Sequence, residues 1–100
     1  MIRHKVNDYA VWKDVFDDFA DFRRSSGEKS FRIFHPADDA NDLTLLIEWD
    51  TRENAEQFLA SHELRTKMQE AGVAESPTVH YFVEAASGSL EQGQYSKTKG

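Results

Sequence analysis

Phe31-Arg-Ile-Phe-His-Pro-Ala-Asp-Asp-Ala-Asn-Asp-Leu-Thr-Leu-Leu-Ile-Glu-Trp49 decides how this chain folds. Two apolar runs flank a connection rich in Asp and Asn, the composition of a hairpin loop. His35-Pro36 ends the first run, because the residue before a proline prefers extended geometry and proline cannot donate to a ladder. The pattern predicts strands over 29–35 and 43–49, joined through 37–42. Phe31 and Ile33 point one way, Arg32 and Phe34 the other. Leu43, Leu45, Ile47 and Trp49 share a face, and Leu46 lies opposite.

Before the hairpin, Ile2 to Val6 alternates, with Ile2, His4 and Val6 on one face. Asn7-Asp8 offers an N-cap oxygen to a helix over 9–24. Trp12, Val15, Phe16, Phe19 and Phe22 recur at spacings of three and four and form its apolar stripe. Asp14, Asp17, Asp18 and Asp21 line the opposite side; carboxylates so placed usually solubilise a helix. Arg23 and Arg24 suit the negative end of the helix dipole, and Gly27 is the natural left-handed stop.

After the hairpin, Asp50 and Glu53 have the spacing of a capping box. Ala55, Phe58, Leu59 and His62 form one stripe, but Leu64 falls on the far side of a straight helix. A break near Ser61 is therefore expected, with a second short helix carrying Leu64, Met68 and Ala71 and ended by Gly72. Pro77 precedes a last strand over 78–84, with Val79, Tyr81 and Val83 against His80 and Phe82. The order β-α-β-β-α-β is the split ferredoxin-like motif, an α+β fold with a four-stranded antiparallel sheet and helices on one face. Residues 1–86 make this domain; 87–100, rich in Ser, Gly, Gln and Lys, read as a flexible tail.

The formal charge of −6 argues against a general nucleic-acid surface. The chain has no cysteine, which removes disulfides, thiolate nucleophiles and Cys-based zinc sites and agrees with a cytoplasmic setting. No apolar run approaches a membrane span. No pair of histidines has metal-ligand spacing, so a preformed metal site is not expected. Nucleophile elbows, phosphate loops and dinucleotide fingerprints are absent too, which argues against hydrolases and nucleotide enzymes. Phe34, Leu46 and Phe82 sit on the face away from the main apolar set. An open sheet with one wet face should alternate cleanly. The surplus points to a homodimer through the sheet faces, against the plainer reading of scattered surface residues.

His4 is the candidate catalytic residue. On a face packed against helices it is either a general base, with an unperturbed pKa near operating pH, or a core histidine bonded to a backbone carbonyl. Trp12, Phe16, Trp49, Phe58 and Tyr81 are expected to converge between sheet and helices, either as the walls of a pocket for a flat aromatic ligand or as a closed aromatic core. His62, at the helix break, is either a pocket wall touching a polar substituent or a surface residue. Arg23 falls by helical angle between Trp12 and Phe16, so it either reaches an anionic ligand or snorkels into water.

Two blocks carry a family resemblance. Arg3-His-Lys-Val-Asn-Asp-Tyr-Ala-Val-Trp-Lys-Asp-Val-Phe-Asp17 and Leu46-Ile-Glu-Trp-Asp-Thr-Arg-Glu-Asn-Ala-Glu-Gln-Phe-Leu-Ala-Ser61 resemble the small antibiotic-biosynthesis-monooxygenase-like proteins. The resemblance spans about residues 1–84 and implies a dimeric α/β barrel with a pocket in each subunit. Some members of that family are cofactor-independent oxygenases of polycyclic phenols such as anthrones; a related branch degrades haem; others are isomerases or cyclases. Phe58 stands near a position where the oxygenases often carry a histidine. Phe58 and Met68 stand where the haem-degrading branch uses Trp and His. Phenylalanine has no indole N–H, and a thioether is a weak substitute for an axial imidazole, so haem degradation is disfavoured. The resemblance thus implies a small cofactor-independent monooxygenase-like enzyme on an aromatic or phenolic substrate; the alternative is a non-catalytic small-molecule-binding protein on the same scaffold.

Overall fold

The computed structural model describes residues 1–90. Its elements run β1 (Ile2–Lys5), α1 (Tyr9–Asp18), α2 (Ala20–Ser26), β2 (Glu28–Phe34), β3 (Asp42–Trp49), α3 (Arg52–Leu59), α4 (His62–Glu70) and β4 (Thr78–Val79). The sheet order is β2-β3-β1-β4, all antiparallel, which is the ferredoxin-like arrangement. The expected tail over 87–100 lies mostly outside the described residues.

Register sorts the side chains onto two faces. Phe31 pairs with Ile47, Ile33 and Ile2 both pair with Leu45, His4 with Leu43, and Ile2 also with Val79. These residues form the inner face. The core lies there, where Val6, Trp12, Leu43, Leu45 and Ala71 are buried together. On the outer face Phe34 and Leu46 remain 46 and 41% exposed; Phe82, expected beside them, lies beyond the end of β4, is 65% exposed and lines a cavity with Ile2, Ile47 and Ala55 instead.

The helix expected over 9–24 is two helices. Asp8 caps α1, accepting from the Ala10 and Val11 amides. Phe19 then leaves helical geometry at φ −88° and ψ 4°, and α2 restarts at Ala20. No Gly or Pro marks the bend. Its gain is tertiary: Phe19 stacks on Phe22 at 4.7 Å and both rings reach Phe58 at 5.9 Å. The acidic stripe stays exposed, with Asp17 paired to Lys13 and Asp21 to Arg24 on the surface.

The break at Ser61 is present. Ser61 Oγ accepts from the Leu64 amide at 3.2 Å and donates to the Phe58 carbonyl at 2.7 Å, so one hydroxyl ends α3 and starts α4. The capping box at Asp50 is not. Thr51 caps α3 by accepting from the Asn54 amide. Asp50 instead accepts from the Thr51 amide and the Asn54 side chain. The last strand is also shorter than 78–84. β4 pairs only with β1, whose ladder runs out where the His80 amide donates to the Met1 carbonyl.

Gly27 closes α2 in left-handed geometry at φ +116°, and its carbonyl accepts from the Asp50 amide at 2.9 Å. A β-carbon there would lie 2.3 Å from the Asp50 carboxylate. Gly27→Ala is therefore expected to destabilise the protein by about 1–3 kcal/mol through backbone strain and displacement of Asp50. Urea unfolding would show it as a lower midpoint at unchanged slope.

Candidate functional site

A cavity of about 260 Å³ lies between the inner face of the sheet and the helices. Ile2, His4, Leu45, Ile47 and Val79 come from the strands; Trp12, Val15, Phe16, Phe19 and Arg23 from α1, α2 and the bend between them. Phe58, Leu59, Leu64, Lys67 and Met68 come from α3 and α4. The break at Ser61 matters here. It turns Leu64 and Met68 inward, whereas a straight helix would carry Leu64 away.

His4 is buried in this wall, and neither of its ring nitrogens has a hydrogen-bond partner among the described residues. Bonding to a backbone carbonyl, the structural alternative for His4, is thus not what is found. Burial pushes the imidazole below its ordinary value of 6.5, so the ring is neutral near pH 7. A neutral imidazole carries one N–H and one lone pair, and both are unengaged here. Trp12 meets the ring edge-on at 5.7 Å and stacks on Phe16 at 4.9 Å.

At the far end of those rings is Arg23, 4% exposed. Its Nε donates to both carboxylate oxygens of Glu28 at 3.0 Å, its Nη1 donates to the Phe16 carbonyl, and its guanidinium lies 3.6 Å over the Phe16 ring. Arg23 does not snorkel into water. Glu28 feels two opposed effects: burial pushes its carboxyl up, and the hydrogen bond and charge of Arg23 pull it back, with burial the larger. Glu28 escaped the sequence reading because it lies on a different element from Arg23, across Gly27, where no periodicity connects them. Lys67 was missed as well: it lies on the same stripe as Leu64, Met68 and Ala71, where a lysine reads as an interruption and not as a lining residue.

Among the residues expected in one pocket, the structure brings together His4, Trp12, Phe16 and Phe58. Trp49 and Tyr81 are placed elsewhere. They line a neighbouring cavity of about 340 Å³, where the Arg52 guanidinium sits 4.5 Å over the Tyr81 ring. Trp49 lies at the outer end of β3 and only touches Phe58, at 5.1 Å. Tyr81 lies past the end of the β4 ladder, so the alternation of 78–84 does not carry it inward. His62 is the exposed first residue of α4 and lines neither cavity, because the cap at Ser61 turns the chain one residue before it.

Comparison with known proteins adds the fold and little more. One solved chain, "Putative antibiotic biosynthesis monooxygenase from Nitrosomonas europaea", is similar over 77% of this chain and 86% of that one, with a TM-score of 0.56 and 19% sequence identity. At that identity the likeness is one of architecture. No family model matches the chain, and no curated protein matches it.

An unpartnered buried imidazole carries a desolvation cost of about 1–3 kcal/mol that a phenyl ring would not. His4→Phe is therefore expected to raise the melting temperature by several degrees. The pH dependence has a definite sign. The unfolded chain takes up a proton near 6.5 and the folded one only at lower pH, so stability falls as pH drops below that value. This part of the acid slope, read from urea titrations between pH 7 and 5, should vanish in His4→Phe.

Proposed function

We propose that the chain is a small monooxygenase-like enzyme that binds an aromatic or polycyclic phenolic molecule in the 260 Å³ cavity. The observation that carries this reading is His4, a buried neutral imidazole in the cavity wall whose two nitrogens have no hydrogen-bond partner among the described residues, beside Trp12, Phe16 and the charged ends of Arg23 and Lys67. Keeping such a group unsatisfied opposes stability, and proteins tolerate that cost most often where the group has work to do. Support also comes from the fold shared with the Nitrosomonas europaea protein, which is named as an antibiotic biosynthesis monooxygenase.

The chemistry follows from the residues. A bound phenolic ring system lies along Trp12 and Phe16, with Phe58 opposite. The lone pair of His4 takes a proton from the activated position, and burial favours the base form in which that lone pair is available. The resulting carbanion meets dioxygen directly. The ring methylene loses two hydrogens, one oxygen atom becomes a carbonyl and the other leaves as water, so the reaction balances with no added reductant.

The functional unit in this reading is a homodimer in the cytoplasm. Phe34 and Leu46 leave the outer face of the sheet with exposed apolar surface that a two-fold copy would cover. Leu46→Lys is expected to convert the dimer to monomer in sedimentation equilibrium, while a chain already monomeric at micromolar concentration would overturn this assignment. Neither a nucleic-acid partner nor a membrane forms part of it; among the described residues no helix is long and apolar enough to cross a bilayer.

Turnover tests the reaction. Given an anthrone and oxygen without added cofactor, the protein should yield the quinone with one oxygen consumed per substrate. His4→Ala should lower kcat/KM by about 10²–10⁴-fold. Unchanged turnover in His4→Ala would remove the base assignment. Tight binding without oxygen uptake would instead make the protein a small-molecule carrier or sensor.

A further inference from the structure

The Arg23 guanidinium has a nitrogen left over. Nε is spent on Glu28 and Nη1 on the Phe16 carbonyl. Nη2 makes no hydrogen bond among the described residues. Arg23 is 4% exposed and lines the cavity, so Nη2 is the guanidinium nitrogen left for a ligand there.

His4 and Arg23 stand at opposite ends of a continuous run. His4 meets Trp12, Trp12 stacks on Phe16, and Phe16 lies under the guanidinium, at 5.7, 4.9 and 3.6 Å. We infer that Arg23 Nη2 is an acceptor-recognising subsite, taking a ring-conjugated carbonyl oxygen of an aromatic ligand whose other end faces His4. The inference rests on the aromatic-ligand reading of the cavity. The charge balance selects the class of acceptor. Glu28 already neutralises Arg23, so a ligand carboxylate would place a second buried anion beside the first. A carbonyl adds a dipole without a charge.

The subsite also has a place in the proton transfer. When His4 removes a proton from carbon, the electron pair moves through the conjugated ring onto the carbonyl oxygen. Nη2 then donates to a developing oxyanion in a dry cavity, where such a bond is stronger than in water. The guanidinium cannot drift, since Glu28, the Phe16 carbonyl and the Phe16 ring hold it on three sides.

Binding of two isosteres tests this. 2-Acetylnaphthalene and 2-isopropenylnaphthalene differ by an oxygen in place of a methylene. The wild-type protein should bind the ketone about tenfold more tightly, as expected for one hydrogen bond from a charged donor. The double variant Arg23→Met with Glu28→Gln removes both charges together and should bind the two equally. In the wild-type protein the guanidinium nitrogen resonances of Arg23 should shift with the ketone and not with the alkene, a measurement that needs no substitution. Equal affinities in the wild type, with Arg23 resonances unmoved, would overturn the subsite and leave the aromatic cavity standing. Failure of both compounds to bind would overturn the cavity reading and the subsite with it. A folded double variant that still prefers the ketone would place the acceptor site elsewhere and overturn the assignment to Arg23.

Discussion

The packing of Trp12 against Leu43 and Leu45 fixes α1 to the inner face of the sheet, and most of the molecule is arranged around that contact. Truncating a buried aromatic of this size typically costs about 3–5 kcal/mol, a large share of what a 100-residue domain has to lose. Trp12 also sets the distance between layers. Its indole and the stacked Phe16 ring are thick spacers on one side, while α3 and α4, broken at Ser61, approach from the other. Two short helices cannot close over a sheet as evenly as one long one, and the space left between Phe58, Leu64 and Met68 is the cavity.

The two buried polar side chains are handled in opposite ways. Arg23 is held by a carboxylate, a carbonyl and a ring. An ion pair so buried contributes little net stability over an apolar pair of the same shape, but losing one partner alone is severe. His4 has no polar partner and stays neutral because burial disfavours its charged form. One group is held by three neighbours, and the other is kept uncharged and unpartnered. They sit at two ends of one aromatic run, His4 against Trp12 and Arg23 over Phe16.

Much of this was legible in the residues. Alternation in 2–6, 29–35 and 43–49 gives the strands, and the faces assigned to Phe31, Phe34, Leu45 and Leu46 agree with the register. Leu64 betrayed the helix break because it falls on the wrong side of a straight helix. The bend at Phe19 left no such mark. Its cause is the contact of Phe19 and Phe22 with Phe58, two elements away. The same limit applied to the site. His4, Trp12, Phe16 and Phe58 could be placed together because each lies on a regular face of a regular element. Trp49 and Tyr81 share those faces in the pattern but lie at element ends, where period no longer predicts depth. Thr51 displaced Asp50 as the cap because Asp50 is engaged by Asn54 and sits against Gly27.

The brevity of β4 has a consequence for time rather than for shape. Two residues pair with β1 in that strand, and the chain beyond Tyr81 is exposed. Pro77 and Val79, which line the cavity, belong to this lightly tethered segment, whereas the opposite walls belong to helices anchored in the core. Segments held by few backbone hydrogen bonds open at a small fraction of the global unfolding free energy. Amide protons around residues 78–80 are thus governed by local fluctuation, and those of Leu43 and Leu45 by the stability of the whole domain. The cavity has walls with different lifetimes, and its most transient side is the edge of the sheet.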